Sequence, residues 1–181
     1  MTGTGPQNWL AGVVLATALA AATALAAPTA QAREGSQGSG LAVPRFVSLK
    51  SDKVNVHSGP TRDHDVTWIY TRAGLPVEIT AEYENWRRVR DWEGAEGWVY
   101  HSLLSGRRTG LVQANPKTHE DYISIYASAD AKSAVTAKLQ RGVLGKLKHC
   151  TGTWCRIIGD GFDGWVEQDR LWGVYPNEKV E

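Results

Sequence analysis

Two cysteines and a neighbouring histidine have the residue types that covalent or metal chemistry requires. Cys150 and Cys155 flank the tetrapeptide Thr-Gly-Thr-Trp, and His149 precedes the first of them. A nucleophilic cysteine needs an activated thiolate and a base within reach, and neither cysteine lies on a plausible helix. A zinc site made of these three residues would lack a fourth ligand. A disulfide fits the spacing, because a four-residue loop can place the two Cα atoms about 4.5 to 5.5 Å apart on adjacent strands.

Polar and charged clusters are weaker candidates for chemistry. Asp63-His64-Asp65 has the residue types of a metal site, but three polar residues after Gly59-Pro60 are more often a solvated turn. Arg87, Arg88 and Arg90 lie on one predicted strand and could bind an acidic group, although acidic side chains surround them in the sequence. No set of Ser, His and Asp residues has a spacing that predicts nucleophilic catalysis. We therefore predict no catalytic residue, no metal site and no cofactor.

Aromatic side chains are the most informative candidates for binding. The chain has 8 Trp beside 2 Phe, and the indole N–H of tryptophan suits a groove in which one ring edge stays hydrated. Trp86 lies three residues before Val89, so in a strand the two side chains face opposite sides. Five rings are predicted to form a ligand-binding groove: Trp68, Tyr70, Trp86, Trp92 and Tyr100. The alternative, which the sequence leaves open, is that these rings pack against the other half of the chain or against the segment 105–121.

The N-terminal segment predicts export. The first 32 residues contain no Lys, Arg, Asp or Glu, and Leu10 to Ala27 form an apolar run. Ala30-Gln31-Ala32 has the pattern of a signal-peptidase site, which predicts a signal peptide and a periplasmic or extracellular mature chain without a membrane span. The length of the apolar run also leaves an uncleaved anchor open. Export to an oxidising compartment favours the disulfide between Cys150 and Cys155.

The charge balance excludes a nucleic-acid surface as the main feature of either half. Residues 41–110 hold 10 basic and 9 acidic side chains, and residues 111–181 hold 9 of each. A domain that binds nucleic acid through its phosphates would carry a clear basic excess. The charge balance therefore predicts no nucleic acid and no strongly acidic or basic partner.

The chain after residue 40 repeats itself. The stretch from Trp86 to Val99 returns as Trp154 to Val166, at an offset of 67 or 68 residues. Each copy has short alternating patterns separated by turn residues, which predicts strands of about five residues joined by tight turns. Five or six such strands in about 60 residues, without helices, predict a small closed barrel. Because a domain of this size is marginal alone, we expect the two copies to pack on each other or to carry a covalent staple.

The repeat predicts the domain organisation. It comprises a signal peptide over 1–32, a flexible leader over 33–44, a first barrel over 45–112, a linker over 113–121 and a second barrel over 122–175. Trp98 and Trp165, each between Gly and Val, are predicted to lie in the cores, because the preceding glycine permits close approach. Glu82 and Arg87 occupy the positions of the two cysteines in the first copy, so we expect a cross-strand ion pair there. This register requires a bulge near Trp86.

The motifs resemble those of the bacterial SH3-like (SH3b) family. The first copy carries four of its elements: Asn55-Val56-His57-Ser58-Gly59-Pro60, Gly74-Leu75-Pro76-Val77, Trp86 to Val89, and Gly94-Ala95-Glu96-Gly97-Trp98-Val99. The second copy keeps Gly161 to Val166 but has lost the Gly-Pro turn at Tyr126-Ala127-Ser128-Ala129. The resemblance implies two tandem all-β SH3-like barrels in an exported protein, of a kind that often recognises cell-wall peptides.

Two functions follow as expectations. The first is a non-catalytic cell-envelope binding module that recognises peptidoglycan peptides or another extended peptide through the aromatic groove. The second is a structural adaptor whose barrels bind a periplasmic protein, with the rings as interface anchors. An enzyme is the third reading, since cell-wall peptidases can carry SH3-like domains.

Overall fold

The structure is a computed structural model that describes Met1, residues 38–113 and residues 121–181. The predicted signal peptide, the first part of the leader and most of the predicted linker lie outside the described residues. Within the described ranges the chain forms antiparallel strands and two short 3-10 helices, and it contains no α-helix. The all-β prediction is confirmed.

The first sheet consists of seven strands that follow one another along the chain. They are β1 (Arg45–Leu49), β2 (Val54–His57), β3 (Val66–Tyr70), β4 (Pro76–Tyr83), β5 (Trp86–Arg90), β6 (Glu96–Tyr100) and β7 (Leu104–Ser105). A 3-10 helix, His101–Leu103, joins the last two. The order across the sheet is β3-β2-β6-β5-β4-β1-β7.

The second sheet repeats this arrangement. Its strands are β8 (Thr109–Val112), β9 (Tyr122–Tyr126), β10 (Val135–Gln140), β11 (Leu144–Thr151), β12 (Trp154–Gly159), β13 (Phe162–Glu167), β14 (Leu171–Trp172) and β15 (Lys179–Val180). The 3-10 helix Gln168–Arg170 precedes β14. The order is β10-β9-β13-β12-β11-β8-β14, with β15 paired to β11. Strand for strand this is the order of the first sheet, so the sequence repeat is a repeat of structure.

The boundary between the two repeats differs from the prediction. Strand β8, which the prediction placed in the first barrel (45–112), pairs with β11 and β14 of the second sheet. The second repeat therefore begins at β8 and extends to β15, beyond residue 175. The physical reason is that β8 is buried at all four positions and contributes to both cores: Leu111 packs in the first and Val112 in the second. A strand covered on both faces has no polar alternation to assign it to one copy.

Aromatic packing and hydrogen bonds join the two repeats. The ring of Phe46 packs against Trp172 with centroids 5.0 Å apart and against Tyr175 at 4.6 Å. Trp172 Nε1 donates a hydrogen bond to Pro76 O at 3.0 Å, and the Tyr175 hydroxyl donates to Glu78 Oε1 at 2.9 Å. The expected packing of the copies on each other is confirmed.

The tryptophans of the two Gly-Trp-Val motifs are not core residues, contrary to the prediction. In β6 Gly97 and the side chain of Val99 lie on the core face, and Trp98 between them is half-buried on the opposite face. Trp165 is half-buried in the same way, beside a buried Val166. The glycine allows a neighbouring strand to approach closely, but it does so on the face that the tryptophan does not occupy. Because successive residues of a strand point to opposite faces, the glycine and the tryptophan that follows it cannot both lie on the core face.

A cross-strand link stands at the same place in both repeats. Cys150 and Cys155 are register partners on β11 and β12 and form a disulfide with Cα atoms 4.1 Å apart, which confirms the predicted bridge. Glu82 and Arg87 are register partners on β4 and β5, with Arg87 Nε 3.0 Å from Glu82 Oε1. The bulge that this register needs lies on the facing strand, between Ile79 and Ala81, and not near Trp86 as predicted.

Glu82 also binds the end of the leader. Arg45 pairs with it, and the Ser39 hydroxyl donates to Glu82 Oε1 at 2.7 Å. Burial raises the pKa of Glu82, but the hydrogen bonds from Arg45 and Ser39 outweigh burial and lower the pKa to about 2. The last part of the predicted flexible leader is thus fixed to the first barrel.

Candidate functional site

A groove of about 580 Å³ opens on the outer face of the first repeat. Strand β2 contributes its outward residues, β5 and β6 contribute aromatic rings, and the loop after β2 and the 3-10 helix form the rim. The lining residues are Lys53, Asn55, His57, Arg62, Trp86, Tyr100, Ser102 and Leu103.

Three rings form the floor of this groove. Trp86 packs edge-on against His57, with centroids 5.0 Å apart, and edge-on against Tyr100 at 5.6 Å. Trp86 and Tyr100 are register partners across β5 and β6, so the sheet itself sets their spacing. Trp86 is only 7 % exposed, but it lies outside the contiguous cluster of buried side chains that fills the centre of the repeat. The structure brings Trp86 and Tyr100 together as predicted, and their role in binding stays a prediction.

Positive charge surrounds the aromatic floor. The Arg62 guanidinium lies over the Tyr100 ring, 5.7 Å from its centre, in cation–π geometry. Lys53 lines the same groove. Neither cation takes part in an ion pair with the described residues. His57 Nδ1 donates to His64 O at 2.8 Å, which holds the loop that carries Arg62. The groove therefore offers apolar faces beside free positive charge.

The other three predicted groove residues lie elsewhere. Trp68 and Tyr70 pair with Val56 and Val54, whose side chains are completely buried, so they share the core face of the sheet. Tyr70 is a core residue, and Trp68 and the half-buried Trp92 pack against the same core. The prediction of one five-membered groove is wrong, because strand parity separates these rings from Trp86. The alternative was that the rings pack against the other half of the chain or against the segment 105–121. The rings do pack, but on the core of their own repeat.

A hydrogen bond gives this second aromatic cluster a structural role. The Tyr70 hydroxyl donates to Asp91 Oδ2 at 3.1 Å, and Asp91 Oδ1 accepts the backbone N–H groups of Glu93 and Ala95. Burial, and then the Asp91 charge, raise the pKa of Tyr70 well above its usual value. The cluster thus fastens the turn between β5 and β6 to the core.

Sequence reasoning missed the polar members of the groove. Asn55 and His57 alternate with the core residues Val54 and Val56, so they face outward on β2. This alternation is visible in the sequence and could have predicted that His57 lies on the outer face beside Trp86. The contribution of Arg62 had no such signal, because it depends on how the loop after β2 folds back.

The second repeat has a much smaller cavity at the equivalent place, about 170 Å³. The strand pairing makes Tyr126 the counterpart of His57, and it makes Glu167 the counterpart of Tyr100. Tyr126 packs against Trp154 at 5.6 Å, and Glu167 pairs with Arg170 Nε at 3.2 Å. An ion pair therefore stands where the first repeat has an open aromatic floor.

The disulfide pairs both cysteines of the chain. The chain has 2 Cys, and both are in the bridge, so no free thiol is left. Among residues 38–113 and 121–181, no group of three His, Cys, Asp or Glu side chains is placed to hold a metal ion. In the same part of the chain, no helix has the length and apolar character needed to cross a bilayer.

Comparisons with known proteins bear on the fold and the family. No curated protein matches the sequence. Two solved structures from Trichomonas vaginalis are similar: NlpC2, at 12 % identity over 71 % of this chain, and NlpC1, at 13 % over 75 %. Each match covers 48 % of the other chain with a TM-score of 0.33, so this chain spans about half their length, and a likeness this low carries no functional argument.

The family comparison is specific. Residues 50–106 and 119–173 each match the family model described as a bacterial SH3 domain. The two matches fall on the two sheets, and together they cover more than half of the sequence. The chain belongs to the bacterial SH3 domain family and carries two tandem copies of the domain.

Proposed function

We propose that the groove of the first repeat binds an extended peptide of the cell envelope, such as a peptidoglycan peptide, and that the protein catalyses no reaction. Bacterial SH3 domains are typically non-catalytic, and the family together with the disulfide indicates an exported, cell-wall-associated binding module. A periplasmic or extracellular location, and the peptide itself, are parts of the proposal.

The observation that carries the proposal is the combination of rings and cations at one place. Trp86 and Tyr100 form an aromatic floor, and Lys53 and Arg62 beside it lack carboxylate partners among the described residues. Aromatic faces take up the apolar parts of a peptide, and unpaired cations attract its carboxylates. The second repeat keeps two rings, Tyr126 and Trp154, but has Glu167 in place of Tyr100, so it is not expected to bind in the same way.

Sedimentation with isolated cell-wall sacculi tests this proposal. The exported protein should co-sediment, and Trp86→Ala should reduce the bound fraction strongly. Because Trp86 is 7 % exposed and its truncation could disturb the fold, Tyr100→Glu is the second variant. It introduces the residue type found at the equivalent place of the second repeat. Trp154→Ala, the counterpart of Trp86, is the matched control and should bind like the wild type.

The outcomes separate the rival functions. Equal binding by the wild type and both groove variants would contradict the groove as the site. No co-sedimentation at all would favour a structural adaptor, for which the edge strand β3 offers the exposed side chains Val66 and Ile69. Incubation with soluble peptidoglycan fragments should leave them intact, and measurable turnover would overturn the non-catalytic assignment.

A further inference from the structure

A second and larger cleft lies between the two repeats. Its volume is about 930 Å³. One wall comes from the end of β1 and the turn before β4, the other from β11 and the turn after β12, and the segment between β7 and β8 forms the base. None of the residues of the aromatic groove lines it.

Contacts between the repeats join the walls of the cleft. The Thr109 hydroxyl donates to Gly74 O at 2.7 Å, and Leu144 packs against the core of the first repeat. A Cβ atom at Gly74 would lie 3.2 Å from the Leu144 side chain, and Gly74 has a φ of +80. Gly74 of one wall therefore lies in close contact with Leu144 of the other.

The backbone of the walls is already hydrogen-bonded. Lys50 N donates to Leu103 O at 2.8 Å, Gly74 N donates to Leu49 O at 2.8 Å, and Leu147 N donates to Arg108 O at 3.1 Å. These groups are not available to extend a strand of a bound peptide. Recognition in this cleft has to come from side chains, which differs from β-strand addition.

The side chains that line the cleft are strongly biased in charge. Five of the lining side chains are cationic, and one, Asp160, is acidic. The cations are Lys50, Arg107, Arg108, Lys146 and Lys148. The whole chain has a formal net charge of +1, so this concentration is local.

Four of the five cations lack an acidic partner within residues 38–113 and 121–181. Arg108 is bound by Glu178, with Nη1 2.6 Å and Nη2 3.0 Å from the carboxylate oxygens. The other four form no ion pair with any described residue. Arg156 Nε and Nη2 donate to the Asp163 carboxylate at 2.9 and 2.8 Å, and these hydrogen bonds lower its pKa. Lys148 lowers the same pKa only through its charge.

We propose that this cleft binds a linear polyanion through oxyanion groups, phosphate or carboxylate, spaced along its chain. Unpaired ammonium and guanidinium groups that line one cleft repel one another. An anionic ligand between them relieves that repulsion and gains charge-assisted hydrogen bonds. Four unpaired cations distributed over about 930 Å³ fit several anionic groups better than a single one. The site is independent of the aromatic groove and of its proposed peptide.

Calorimetric titration with two defined probes tests the proposal. Inorganic tripolyphosphate represents phosphate groups, and tetraglutamate represents carboxylates. At least one of the two probes should bind at low ionic strength, and its affinity should fall as salt is added. The tighter probe identifies the oxyanion. Replacing both lysines of β11, Lys146→Gln with Lys148→Gln, should weaken binding about 5- to 30-fold, because two charge contacts are lost.

Matched variants keep the test specific. Lys132→Gln with Lys138→Gln removes two exposed lysines of the same repeat outside the cleft and should leave affinity unchanged. Lys50→Gln, on the opposite wall, should weaken binding as well. Tyr100→Ala, which changes a half-buried ring of the aromatic groove, should leave the affinity for both probes unchanged, which separates this site from the peptide groove. Failure of both probes to bind, or equal weakening by the cleft and control pairs, would overturn the proposal.

Discussion

Reduction of the disulfide in the second repeat should lower stability by an amount that the loop length sets. The bridge joins residues with a sequence separation of 5, and both sulfur-bearing side chains are completely buried in the core. Closing so small a loop removes about 7 cal/mol/K of chain entropy from the unfolded state, which is about 2 kcal/mol at 25 °C. The reduced protein keeps the same atoms in the core apart from two added hydrogens. The entropy of the unfolded chain is therefore the main quantity that changes.

The assay compares thermal and urea unfolding of the oxidised and reduced protein. Mass spectrometry establishes the thiol state, and tryptophan fluorescence follows unfolding. A loss of about 2 kcal/mol corresponds to a melting temperature lower by about 8 to 16 °C if the second repeat unfolds alone, and by about 4 to 8 °C if both repeats unfold together. The size of the shift thus also reports whether the interface of Trp172 and Tyr175 couples the two barrels.

A matched variant separates entropy from packing. Cys150→Ala with Cys155→Ala removes the bridge and also two buried sulfur atoms, so its stability should fall below that of the reduced wild type. An unchanged unfolding midpoint in protein whose thiols are shown to be reduced would refute the entropic reasoning.

Three further predictions concern the contacts that hold the barrels. Because the folded pKa of Glu82 is about 2 and its ordinary value is 4.5, its stabilising effect is complete above pH 4.5 and is lost as the pH falls towards 2. Urea unfolding across this range should show the loss, and Glu82→Gln should flatten it; an unaltered acid limb would contradict the assignment. Trp172→Phe keeps a ring but removes the donor to Pro76 O, so we expect a loss of about 1 kcal/mol in the free energy of unfolding, and no loss would show the bond to be unimportant. Gly97→Ala would place a Cβ atom within van der Waals overlap of Val56 and should cost about 1 to 3 kcal/mol in thermal or urea unfolding. Gly106→Ala, with open space around it, is the control and should change stability by less than about 0.5 kcal/mol.

Local patterns were sufficient for the repeat, the strand content and the cross-strand links. Turn residues and alternation act over a few positions, so they predict short strands without knowledge of the partner strands. The pairing of Cys150 with Cys155, and of Glu82 with Arg87, followed from a loop of fixed length. These features depend on residues that are close in the chain.

The burial of individual rings required the tertiary structure. Alternation divides a strand into two faces but does not say which face is covered. Trp98 was therefore assigned to the wrong face, and Trp68 was grouped with Trp86 although its parity follows the core residue Val56. Which face is buried depends on how the sheet curves around its core, and distant strands decide that.

The sequence alone determined that this protein is two copies of one small β-domain with a disulfide in the second copy. Tertiary structure decided the boundary at β8, the composition of the aromatic groove and the existence of the basic cleft. Lys50, Arg107 and Lys146 are far apart along the chain and become neighbours only because the two repeats pack against each other. Charge summed over a sequence cannot show such a concentration, since it arises from the three-dimensional arrangement of residues that are individually unremarkable in the chain.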